Sequence, residues 1–148
     1  MAVHAGRDVH FNFGLALEAA RACHQLARYV TDKQGAREGV ARTAQVDWTG
    51  RHAQIFDQHI RISHIDADRL SVALRALADG FASSWAKARG EQDRVNFARY
   101  VERERANRNL LEEVGDFLFG EPDFGDPPSD PPVPTAPDFA PTRAPLYE

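Results

Sequence analysis

No proline occurs in the first 121 residues, and all nine lie between Pro122 and Pro145. Proline lacks a backbone donor and clashes with the preceding helical turn, so its absence over such a length is what long helices require. The same region is rich in Ala and Arg, both good helix formers. The 148 residues thus divide into a helical body, about residues 10 to 119, and a tail, residues 120 to 148.

Within the body the apolar positions recur at helical spacing. Residues 12 to about 45 read as a first helix, with Asn12 as its N-cap. Leu15, Ala19, Ala22, Leu26 and Tyr29 form one stripe, and Ala16, Ala20, Cys23, Ala27 and Val30 form a second beside it. The two together are wider than one antiparallel neighbour covers. Gly35 and Gly39 lie one turn apart, marking either a close helix approach or a less stable segment.

A second helix follows from residue 51. Phe56, Ile60, Ser63, Ala67, Leu70, Leu74, Leu77, Phe81, Ser84 and Ala88 alternate spacings of four and three without a slip, which is a heptad seam. Gly90 is the expected break, and a distal helical extension is expected beyond it. Unbroken, residues 51 to 119 would extend about 100 Å, from a rise of ~1.5 Å per residue. The distal part must then project, fold back or rest on a partner. The tail is dominated by proline, aspartate and glycine and is expected to be disordered, with polyproline II character.

The charge divides where the prolines begin. Through Phe119 there are 17 basic and 16 acidic side chains; from Gly120 onward Arg143 stands alone against six acids. The body has no basic excess with which to bind nucleic acid. Cys23 is the single cysteine, so no intrachain disulfide forms, and its place in an apolar stripe reads as a small buried hydrophobe. No segment has the apolar length of a membrane span, and the N-terminus lacks the pattern of a signal peptide.

Between the two helical patterns stands "VDWTGRHAQIF". Gly50 suits the backbone of a sharp reversal, and Trp48 suits a ring laid across the end of an antiparallel hairpin. Trp48-x-Gly50, followed by Ala53 and Phe56, resembles the W-x-G-x-x-A-x-x-F stretch of the WXG proteins, small helical hairpins exported by type VII (ESX) secretion systems of actinobacteria and firmicutes. Tyr100-x-x-x-Glu104, in "YVERE", resembles the Y-x-x-x-D/E export signal after the second helix of actinobacterial members. Residues four apart share a helical face, so one receptor can read both. The resemblance covers about residues 10 to 105. This chain is longer than the family's usual members, and Tyr100 lies further beyond the glycine than in the compact ones.

The resemblance implies an all-α hairpin that pairs with a second hairpin into a four-helix bundle. It also implies secretion without a signal peptide, recognition by a type VII secretion ATPase or receptor, and a co-encoded effector as a further partner. The apolar faces ask for a helical partner independently, either a WXG-type relative or a second copy of the chain. Leu15, Ala19, Ala22, Leu26, Phe56, Leu70, Leu74 and Leu77 are the expected interface. The competing reading is a cytoplasmic helical scaffold or adaptor that binds through its bundle face or its proline-rich tail.

The residues offer no assembled chemistry. His52, His59 and His64 do not share a helical face at metal-ligand spacing, and surface positions account for them. Asp66, Asp68 and the acids near residues 112 to 116 have no matching base, Ser83 and Ser84 belong to no nucleophile motif, and Trp85 reads as a core or interface aromatic. No phosphate-binding glycine loop occurs. The expectation is a protein without cofactor, metal or catalytic residues.

Overall fold

The computed structural model describes residues 6–109 and 123–139. Asn12 immediately precedes α1, Phe13–Gln45, and after a short turn α2 runs from Arg51 to Asn109. A single helical turn, α3, covers Ala136–Phe139. The fold is all-α, with the two long helices forming an antiparallel hairpin. The contacts establish the direction: Gln34 Nε2 donates to His64 O at 3.4 Å, Thr31 pairs with Ser71 at 3.2 Å, and Ala20 packs with Ala78 and Ala82. Numbers fall on α1 as they rise on α2.

The described residues divide into two compact units. One holds residues 14–83 and 134–139, and the other holds 6–13, 84–109 and 123–133. In the first, the helices meet through small side chains. Ala16, Ala20, Ala27 and Ala41 are buried on α1, and Ser71, Ala78 and Ala82 on α2. This is the second of the two stripes of α1. The heptad seam of α2 flanks the contact, since Ser71 and Ala78 each lie one residue beyond the seam positions Leu70 and Leu77. Alanine and serine let two backbones approach closely, and larger residues at those places would hold them apart. The Ser71 hydroxyl is the polar exception, meeting Thr31 Oγ1 and lying 3.4 Å from the carbonyl of Ala27, to which it donates. A buried hydroxyl so paired carries little desolvation cost.

Several expectations need correction. Helix α1 passes through Gly35 and Gly39 without a break, and a Cβ on either would meet nothing within 4 Å, so neither glycine serves a close approach within the chain. Helix α2 passes equally through Gly90. There a Cβ would collide with the Asp130 side chain and lie 3.0 Å from its Cα, so Gly90 marks where another segment crosses the helix. It is a contact and not a kink.

The second unit shows what rests on the distal helix. Val9 N–H donates to Gln92 Oε1 at 2.8 Å, and Gln92 Nε2 donates to Asp8 Oδ1 at 2.9 Å. The Arg99 guanidinium donates to Asp8 Oδ1 at 2.6 Å and to the Gly6 carbonyl at 3.2 Å. An N-terminal arm is thereby fastened along two turns of α2. On the same helix Arg94 reaches Asp130 at 2.9 Å and Glu91 at 2.7 Å. Those two carboxylates, Glu91 first, raise the Arg94 guanidinium above its ordinary value.

Part of the tail is therefore packed. Residues 123–135 form no helix or strand, as their prolines require, yet Asp130 lies on α2 and Phe139 is 1% exposed between α1 and α2. The composition that keeps this segment from folding by itself does not prevent its aromatics from docking. The expected helix beyond residue 109 and the tail at 120–122 and 140–148 lie outside the described residues.

Candidate interaction face

The turn joining the helices occupies residues 46–50. Val46 N–H donates to Thr43 O at 3.5 Å and Trp48 N–H to Gln45 O at 3.1 Å, which draws the last turn of α1 tight. Gly50 has φ 85, the left-handed region that side chains disfavour. Its carbonyl accepts from Gln54 N–H at 3.3 Å and so opens α2. Trp48 meets Phe56 edge to face, with ring centroids 5.3 Å apart and planes at 80°, and remains 53% exposed. The turn motif is thus built as a cap that still leaves about half of Trp48 exposed.

From that end an apolar groove of about 350 Å³ runs along one side of the hairpin. Lys33, Val40 and Ala44 of α1 line it opposite Phe56, Ile60 and Ser63 of α2. Ala19, Leu26, Lys33 and Val40 recur every seven residues, as do Phe56, Ser63, Leu70 and Leu77. A seven-residue step returns to nearly the same side of a helix. The groove's side is therefore the side of the expected interface. On it Leu15 (60%), Leu26 (48%), Leu70 (49%) and Leu77 (50%) are exposed, Ala22 is exposed, and Ala19, Phe56 and Leu74 are half-buried. The intrachain contact uses the alanines and leaves the leucines uncovered.

His52 and His59 are exposed, whereas His64 turns into this groove. Its Nε2 is buried without a hydrogen-bond partner, so a surface position does not describe it. The cause is its place two turns from Ser71, on the inner side of α2. No group of three or more His, Cys, Asp or Glu suited to a metal forms among the described residues. No helix among them is long and apolar enough to cross a membrane.

Tyr100 and Glu104 lie within unbroken α2, four residues apart and on one face. Tyr100 is 53% exposed and Glu104 half-buried. The Tyr100 ring has a neighbour that the sequence reading did not identify, Phe124, edge-on at 6.5 Å. Arg105 stands over the other ring of this pair, its guanidinium 5.7 Å from the Phe124 centroid. Phe124, Gly125 and Pro127 with Phe97, Ala98 and Val101 line a half-open pocket of about 480 Å³. The signal for this docking was in the sequence. Pro-Asp-Phe occurs at residues 122–124 and again at 137–139, each time placing an aromatic in a segment otherwise poor in large apolar residues.

No protein-family model, curated protein or solved structure matches the chain. The likeness to WXG proteins rests on the residues that carry it.

Proposed function

We propose that the chain is a WXG-type substrate of a type VII secretion system, or the partner that accompanies one, and that it acts by pairing its hairpin with another into a four-helix bundle. The observation that carries this reading is the uncovered leucine face of a hairpin whose turn holds Gly50 at φ 85 and shows half of Trp48 to solvent. Leucines left at about half exposure along one continuous side are an unfinished core, and a second hairpin completes it. The partner is a second copy or a helical relative. The secretion ATPase or its receptor reads Trp48-x-Gly50 together with Tyr100-x-x-x-Glu104, and a co-encoded effector travels with the pair.

The adaptor reading has its own support in the Tyr100–Phe124 contact, which gives Tyr100 a packing role that needs no receptor. Secretion in a host with an intact type VII system separates the two. Wild type, Trp48→Ala and Tyr100→Ala are followed in medium and cell fractions, with the neighbouring gene co-expressed. Export of wild type with retention of Tyr100→Ala, at unchanged helicity, supports the secretion substrate. Retention of all three supports the adaptor.

A further inference from the structure

The largest fully buried side chain of the described residues belongs to the proline-rich tail. Phe139 sits against Ala20, Ala78 and Ala82, each at most 1% exposed, with Cys23, Phe81 and Ala136 around them. His24 meets its ring edge-on, with centroids 5.7 Å apart and planes at 87°. Three alanines facing one another across two helices leave a recess that no side chain of either helix fills. A single phenylalanine, delivered by a turn of four residues, fills it.

We propose that this recess is a binding site for short proline-rich segments that present a phenylalanine at the end of a helical turn, and that residues 134–139 occupy it as a tethered ligand. The inference goes beyond the secretion reading and holds whether or not the chain is exported. Three features give the site its selectivity. The alanine walls set a volume suited to an aromatic ring, since a larger residue at any of the three would close the recess. The edge contact with His24 favours an aromatic over an aliphatic occupant. The ligand is self-contained: Phe139 N–H donates to Thr135 O at 3.3 Å, closing the turn, and the flanking prolines restrict the unbound chain and so lower the ordering cost of binding.

A tethered segment also behaves as a ligand at high local concentration, on the order of millimolar for short flexible connections. A free peptide or a partner bearing the same turn therefore enters only against that competitor. The tail sets the threshold that a partner has to exceed.

The site also has a defined position. At about 100° per residue, His24 lies half a turn around α1 from Leu15 and nearly as far from Ala22 and Leu26. Phe139, against His24, is on the side of α1 away from the leucine face. A ligand in the recess and a hairpin on the leucine face do not compete for the same surface of α1.

The test uses the full chain and a fluorescent peptide with the sequence of residues 133–143, VPTAPDFAPTR. Binding is read by anisotropy, and the opening of the recess by the reaction of Cys23, the chain's single cysteine, with a thiol reagent. In the Phe139→Ala chain the recess is vacant. The peptide should bind saturably, and Cys23 should react about 10-fold faster than in wild type and slow again when the peptide is added. Wild type should bind the peptide about 10-fold more weakly or less, because its own tail competes. A peptide with alanine in place of phenylalanine should bind neither chain. Equal binding to both chains, or no saturable binding to Phe139→Ala, overturns the proposal. If Phe139→Ala loses helicity, Phe139→Leu is taken through the same measurements. Leucine keeps an apolar anchor but not the ring edge, so the peptide should displace it and restore slow Cys23 labelling; failure to do so overturns the proposal equally.

Discussion

Trp48 stands edge-on to Phe56 at 5.3 Å, and that single ring contact is the indole's main hold on the hairpin, because half of its surface remains open. Edge-to-face aromatic pairs contribute about 0.5–1.5 kcal/mol beyond their buried area. Trp48→Ala should therefore lower stability by roughly 1–2 kcal/mol in urea unfolding, with helicity unchanged. A loss of several kcal/mol would mean that the indole is a core residue and not a displayed one.

Glycines in this chain have opposite roles, and substitution should separate them. Gly35→Ala and Gly39→Ala fall within α1 with open space at Cβ, and each should raise stability by about 0.5–1 kcal/mol. Gly50→Ala forces a side chain into φ 85 and should cost about 1–2 kcal/mol. Thermal unfolding of the three variants gives both signs in one series.

Gly90→Ala gains the same helix propensity but drives a methyl group into Asp130. The expected result is loss of the Arg94–Asp130 ion pair, seen as altered amide shifts around residues 123–133, with none of the stabilisation found at Gly35.

The N-terminal arm should come away in acid. Hydrogen bonds from Gln92, then from Arg99, hold the Asp8 carboxyl below its ordinary value. A group with a lowered folded pKa contributes stability above its unfolded pKa and loses it as the pH falls through the folded value. Amide exchange at Val9 should therefore accelerate only below the ordinary aspartate range, towards the lower value of the docked arm. In Asp8→Asn, fast exchange should persist across the whole range from acid to neutral pH.

If the leucine face pairs two hairpins, Leu70→Asp should weaken the association by about 2 kcal/mol or more, roughly 30-fold in Kd. Ile65 supplies the control, being 50% exposed like Leu70 but about 140° away around α2. Ile65→Asp should leave the sedimentation profile unchanged. Equal effects from both, or a wild type that is monomeric at micromolar concentration, would remove the pairing.

The hairpin was legible because its determinants are local and repeated. The absence of proline, the two stripes of α1 and Gly50 specify helices and a turn without reference to distant residues. The face used within the chain was less legible, since alanine stripes and leucine stripes lie side by side and only closeness of approach selects between them. The contact at Gly90 and the docking of the tail through Phe139 escape a reading of the sequence for a common reason. Each acts through a partner far away in sequence, Asp130 for the one and Ala20 and Ala78 for the other. Composition averages over a segment, and a single aromatic among prolines disappears in the average. The candidate signal at Tyr100 and Glu104 was found as a spacing, but its neighbour Phe124 lay outside any periodic pattern.

The position of Phe139 bears on how many molecules can assemble. A hairpin apolar on both sides can add a neighbour on each, and addition then continues into an open stack. Here the His24 side of α1 is closed by the chain's own tail while the leucine side stays open. If the leucine face pairs two hairpins as proposed, that side of α1 accepts a neighbour while the side that Phe139 covers does not.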